Sequence, residues 1–135
     1  MTLPVSVSYN GGSIPGPDVV RAADYILLHG NGVRDPRRMA EMIRIVRSME
    51  EYTPKPIVNN EDDRPWRDEH QGWGEEGNNF VACVENYTSW GYFDFRRPGE
   101  GFNEGFQSVP VNWQISSGRK RAFFDLLARI TGMGD

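Results

Sequence analysis

The sequence predicts an α/β domain of four β/α units with parallel strands. Three observations carry this. Short, mostly apolar runs near residues 3–9, 25–29, 57–60 and 89–94 alternate with segments of helical periodicity, and such alternation implies parallel strands joined by right-handed crossovers. Each run ends in a polar or aromatic cluster: Tyr9-Asn10, His29 to Asn31, Asn59 to Asp63, and Trp90 to Asp94. The connections from helix to strand, at Asp24 and at 53–55, are short and plain by contrast. In a parallel sheet all four clusters fall on one side, the side where ligands bind in α/β folds.

The first strand, LPVSVSY, is broken by Asn10-Gly11-Gly12, and a loop with Pro15, Gly16 and Pro17 leads to a short helix over 18–23. Pro17 or Asp18 starts that helix. YILLH at 25–29 is the second strand, ended by Gly30-Asn31-Gly32. Asp35 then reads as an N-cap with Pro36 at the first helical position. From there to about Tyr52, Met39, Met42, Ile43, Val46 and Met49 recur at spacings of three and four and form one apolar stripe. Thr53-Pro54 stops the helix, and the third strand follows. A helix over about 78–87 packs Phe80, Val81, Cys83 and Val84 before SWGYFD, the fourth strand. The last helix, about 117–130, is apolar at Phe123, Phe124, Leu126, Leu127 and Ile130 and closes at Gly132. The segments 61–77 and 96–115 are long polar and aromatic loops, a length that usually serves function.

The stretch PKPIVNNEDDRPW, residues 54–66, organises the rest. Its apolar pair Ile57-Val58 ends abruptly in amides and acids, so polar groups gather where a buried strand stops. Alternation along the strand gives Ile57, Asn59 and Glu61 one face and places Glu61 at its end. Read blandly, the same residues form an acidic, solvated turn.

A net charge of −4 excludes nucleic-acid binding built on phosphate contacts. The basic clusters at Arg34, Arg37 and Arg38 and at Arg119 to Arg121 fall at helix starts or on helix faces. The single cysteine, Cys83, excludes an internal disulfide, and its neighbours Val81, Ala82 and Val84 predict a buried thiol. The chain shows neither a signal peptide nor a membrane-length apolar run. No cofactor is expected: there is no HExxH or paired-cysteine spacing for zinc, and no complete dinucleotide fingerprint. Glu61, Asp62, Asp63 and His70 offer the ligand types of a calcium loop as an alternative. No serine lies in a GxSxG elbow.

Over about residues 3–131, the segments PIVNNEDD and SWGYFD in this order make the chain resemble the C-terminal half of a clan A, cellulase-like TIM-barrel glycoside hydrolase. It is similar above all to poorly characterised bacterial cellulase-like proteins with NEDD and SWGYFD segments. The resemblance implies that residues 1–135 form one partial (β/α)8-barrel domain. It implies Glu61 as the nucleophile, with His29, Tyr9 and Asn59 orienting it and Trp90 as a sugar platform. Tyr9, Asn10, His29, Asn31, Asn59, Asp62, Asp63, Trp66, Trp90, Tyr92 and Asp94 are then the sugar-binding set. The acid/base glutamate of such enzymes falls on a strand that would precede Met1. Full-length relatives of this kind are expected to be secreted.

The chemistry agrees with that resemblance. A retaining glycosidase needs two carboxyl groups about 5 to 5.5 Å apart; Asp62, Asp63, Asp94 and Glu104 are local candidates for the second. Trp66, Trp73, Trp90, Tyr92, Phe93, Phe102, Phe106 and Trp113 offer flat apolar faces to sugar C–H groups, unless they are core. The expected partner is a carbohydrate, with hydrolysis of a β-linked sugar as the activity. The alternatives are a non-catalytic carbohydrate-binding domain and a truncated fragment inactive alone. Four strands leave two open edges and an uncovered inner face at positions such as Val5, Val7, Leu27 and Ile57 or their neighbours. A homodimer, or a missing N-terminal half, is therefore expected to complete the barrel.

Overall fold

The computed structural model describes residues 2–62 and 79–93, together with Arg121, Phe124, Asp125, Ala128, Gly132 and Met133. It divides into two units, Met1–Phe93 and Asp94–Asp135. The first is α/β, with the order α1 (Pro17–Ala22), β1 (Ile26–His29), α2 (Pro36–Ser48), β2 (Ile57–Asp62), α3 (Asn79–Glu85) and β3 (Ser89–Tyr92). The strands form one parallel sheet in the order β1-β2-β3.

The helix boundaries follow from local chemistry. Asp35 caps α2 by accepting the Arg37 N–H at 2.9 Å, with Pro36 behind it where a missing N–H costs nothing. Met39, Met42, Ile43 and Val46 are fully buried, as the three-and-four spacing requires. The helix ends at Ser48 rather than near Tyr52 as expected. The Ser48 hydroxyl donates to the Ile45 carbonyl, the acceptor the Met49 N–H would use in a continuing α-helix, and Met49 N–H turns to Val46 O at 3.3 Å. At α1, Lys55 Nζ donates to the carbonyls of Val20, Arg21 and Ala23, so one ammonium satisfies the acceptors that the helix C-terminus leaves open.

All three helices feed one core. Val20 from α1, the α2 stripe, and Ala82 and Cys83 from α3 pack with Ile26, Leu28 and Ile57 of the sheet. At about 1.5 to 3 kcal/mol for each large aliphatic side chain buried, this cluster dominates the unit's stability. In the Arg34–Arg38 cluster, Arg37 pairs with Asp35 and Arg38 with Glu41, both at 2.7 Å. No helix of the described residues is long and apolar enough to cross a membrane.

Residues 3–9, expected as a strand, lie against β1 without a backbone ladder, so the sheet has three strands among the described residues. One backbone bond joins the segment to the chain just before β1, from the Asp24 N–H to the Val5 carbonyl at 2.9 Å, and side chains make the neighbouring contacts. Asp24 Oδ2 accepts the Val5 N–H at 2.8 Å, and the Ser6 hydroxyl donates to the Tyr25 carbonyl. Ser6 and Ser8 thus face β1, while Leu3, Val5 and Val7 point outward and are 83%, 65% and 49% exposed.

In the second unit, Arg121, Phe124, Asp125 and Ala128 are helical, within the range expected for the last helix. Gly132 has φ +71° and the Met133 N–H returns to Ala128 O at 2.8 Å, a left-handed glycine closure of the kind the sequence predicts.

Burial raises the Cys83 thiol to about 12, with the nearby Asp62 charge acting the same way and the Asn59 hydrogen bond opposing both. Cys83 should therefore resist a disulfide reagent at pH 8 in the native chain and react fully once guanidinium unfolds it. Prompt reaction of the native thiol would contradict this packing.

Candidate functional site

A single extra residue in β2 builds the site. Ile26, Leu27 and Leu28 pair with Ile57, Val58 and Asn59, but His29 pairs with Glu61, and on the other side Asn59 pairs with Trp90 while Asp62 pairs with Tyr92. One residue is therefore inserted between Asn59 and Asp62, a β-bulge that shifts the strand's alternation by one. Before it, Ile57 and Asn59 face the helices; after it, Asp62 does, and all three are buried. Glu61 turns to the opposite face, with its side chain 30% exposed. The expectation that Ile57, Asn59 and Glu61 share one face is corrected by this bulge.

The inward polar pair is fully engaged. Asn59 Oδ1 accepts the Gly30 N–H at 2.9 Å and its amide donates to Cys83 Sγ at 3.6 Å. Asp62 Oδ1 accepts from Asn79 Nδ2 at 3.1 Å, and Oδ2 accepts from Trp90 Nε1 at 2.8 Å. Asn79 Nδ2 also reaches the Val33 carbonyl at 3.1 Å. A Cβ on Gly30 would stand 3.1 Å from both Asn59 Nδ2 and Asp62 Cβ, so a larger residue there would push this pair aside by a few tenths of an ångström. Trp90, expected as a sugar platform, commits its N–H to Asp62, packs edge-on against Phe80 at 5.4 Å and stacks on Tyr92 at 6.3 Å.

The outward side is an open cleft of about 490 Å³ lined by Ser8, Tyr9, Asn10, Gly11, His29, Asn31 and Glu61. It unites five residues expected at the site, namely Tyr9, Asn10, His29, Asn31 and Glu61, and leaves Asn59, Asp62, Trp90 and Tyr92 outside its lining. Asp63, Trp66 and Asp94 lie outside the described residues, as do Trp73, Phe102, Phe106, Trp113, His70 and Glu104. Glu61 is held from below, because its carbonyl accepts the Gly30 and Asn31 N–H groups, the latter at 3.1 Å. Across the cleft, Gly11 crosses Asn31 so closely that a Cβ there would fall 2.2 Å from the Asn31 carbonyl oxygen.

His29 joins the two rims. The residue is only 6% exposed; its carbonyl accepts the Gly12 N–H at 2.9 Å, and its ring bridges two partners. Nδ1 stands 3.5 Å from Glu61 Oε2, and Nε2 stands 2.9 Å from Ser8 Oγ. Sequence reasoning passed over Ser8 because it lies in no elbow motif; its place in the alternating LPVSVSY run, with Ser6 and Ser8 on one face, is the signal that points it at β1. No group of three or more His, Cys, Asp or Glu placed to hold a metal ion occurs among the described residues.

Compared with known proteins, the chain matches no protein-family model, no curated protein and no solved structure.

The two acids at the bulge have opposite roles. Asp62→Ala removes a buried acceptor shared by the Trp90 N–H and the Asn79 amide and should cost about 2 to 4 kcal/mol in urea unfolding. Glu61→Gln alters a partly exposed group whose ionic neighbour among the described residues is His29, and should change stability by less than about 1 kcal/mol. The reverse ranking would contradict the assignment of Asp62 to structure and Glu61 to the cleft.

Proposed function

We propose that this chain is part of a carbohydrate-active hydrolase that cleaves β-linked sugars by a retaining mechanism, with Glu61 as nucleophile. The observation that carries the reading is the bulge, which directs Glu61, and not its buried neighbour Asp62, into an open polar cleft at the C-terminal ends of parallel strands. In that reaction the Glu61 carboxylate attacks the anomeric carbon, and a second carboxyl group, about 5 to 5.5 Å from Glu61, protonates the departing oxygen. Tyr9, Asn10 and Asn31 are the hydroxyl and amide groups that would hold sugar hydroxyls. The four-unit reading as half of a (β/α)8 barrel belongs to this proposal, and the exposed Leu3, Val5 and Val7 support a second half or a second copy completing it.

Glu61 is the only carboxylate lining the cleft among the described residues. That observation favours, as a second reading, a domain that binds carbohydrate without cleaving it. The retaining proposal draws its proton donor from outside the described residues or from the barrel's other half.

A panel of 2-deoxy-2-fluoro aryl β-glycosides, with calorimetric binding of oligosaccharides alongside, tests these readings. The proposal expects one glycosyl group trapped on Glu61 by peptide mass, and loss of turnover by about a thousandfold or more in Glu61→Gln. Oligosaccharide binding with neither label nor turnover would replace the enzyme with a binding module. Neither binding nor label would overturn the carbohydrate reading.

A further inference from the structure

We propose that Ser8, His29 and Glu61 form a nucleophile–base–carboxylate relay, and that the cleft hydrolyses small carboxylic esters with Ser8 as the acyl-accepting residue. This goes beyond glycosidic cleavage and does not rest on it, since Glu61 here orients the base and makes no covalent bond.

The geometry supplies the order of groups that such a relay requires. The two ring nitrogens of His29 address different partners, Nε2 the Ser8 hydroxyl at 2.9 Å and Nδ1 the Glu61 carboxylate at 3.5 Å. Relays of this type are recognised by geometry and role rather than by position in the chain, and their contacts are often long before substrate binds. The base is fixed in place, because His29 is buried at the end of β1 with its carbonyl tied to Gly12. The nucleophile is exposed on the cleft wall and anchored two residues earlier, where the Ser6 hydroxyl holds the Tyr25 carbonyl.

Proton placement then follows from electrostatics. An ionised Glu61 beside Nδ1 favours the ring tautomer with its proton on Nδ1, since a bare nitrogen lone pair would face the carboxylate. Nε2 is then an acceptor and the Ser8 hydroxyl must donate to it. A serine donating to a neutral imidazole is in the protonation state from which it attacks.

The reaction balances with water alone. Ser8 Oγ adds to the ester carbonyl carbon as its proton passes to His29 Nε2. The tetrahedral adduct collapses, its ester C–O bond breaks, and Nε2 returns the proton to the departing alcohol. Water attacks the acyl-Ser8 and gives a proton to Nε2, and collapse releases the carboxylic acid and restores the Ser8 hydroxyl. Glu61 remains a carboxylate and stabilises the imidazolium between steps. Asn31 lines the same cleft, and its side-chain Nδ2 is an N–H donor of the kind that stabilises an oxyanion.

The full chain treated with an alkyl fluorophosphonate, and separately assayed with p-nitrophenyl acetate, tests the relay. The expected result is one phosphonyl group on the Ser8 peptide, none there in Ser8→Ala, and labelling slowed about a hundredfold or more in His29→Gln. Ester turnover should fall to background in Ser8→Ala and by about a hundredfold in Asn31→Ala. Ser8→Ala alters one exposed hydroxyl, and a melting temperature matching the parent confirms that its loss of label reports chemistry. A natively folded parent that takes no phosphonate at Ser8, or one whose Ser8 label forms equally fast in His29→Gln, overturns the relay. Phosphonate reports on Ser8 and the fluoroglycoside on Glu61, so either reading can fail without the other.

Discussion

The buried carboxylate of Asp62 is the constraint on which the rest of this structure depends. A charge removed from water is costly unless its oxygens are hydrogen-bonded, and here each oxygen has a donor, from Asn79 on α3 and Trp90 on β3. Those two bonds, with the Asp62 carbonyl accepting the Phe93 N–H at 3.0 Å, tie the third helix and third strand to the end of β2. They also fix the phase of β2. With Asn59 and Asp62 both required on the helix side, the strand must carry an extra residue between them, and Glu61 is left on the other face.

That displacement creates the chemistry. Without the bulge, Glu61 would follow Asn59 into the interior and Asp62 would meet solvent. With it, the cleft receives one carboxylate beside one imidazole, and the extended segment before α1 brings Ser8 to the imidazole's far side. The segment is held by Asp24 and by two serine hydroxyls rather than by a full ladder, so its position over β1 depends on side chains. Gly11 and Gly30 complete the fit, each at a point where a Cβ would meet the opposing chain.

The strand–helix alternation and the apolar stripe of α2 were legible in the sequence, because burial imposes periodicity that a reader can count. The gathering of His29, Asn31 and Glu61 was legible too, since parallel strands put their ends on one side; Tyr9 and Asn10 reach the same cleft from a segment that is not a strand of the sheet. The parity of β2 was not. A bulge leaves no composition signal, and strict alternation puts Asn59 and Glu61 on one face until the partners of Asn59 and Asp62 are known. The absence of a ladder at residues 3–9 was hidden for a related reason: LPVSVSY has strand alternation, but after one backbone bond from Asp24 to Val5 its contacts pass to the side chains of Asp24 and Ser6. Ser8 escaped notice because its chemistry depends on a neighbour twenty-one residues away.

The central claim is that Glu61 and Ser8 address opposite nitrogens of one imidazole, with the proton between the ring and the carboxylate. The chain contains two histidines, so nitrogen-15 labelling of histidine gives a spectrum in which His70→Gln assigns the His29 ring. The neutral His29 ring should carry its proton on Nδ1, with Nε2 showing the shift of a hydrogen-bonded acceptor that changes in Ser8→Ala. A neutral ring protonated on Nε2, unaffected by loss of the Ser8 hydroxyl, would contradict it.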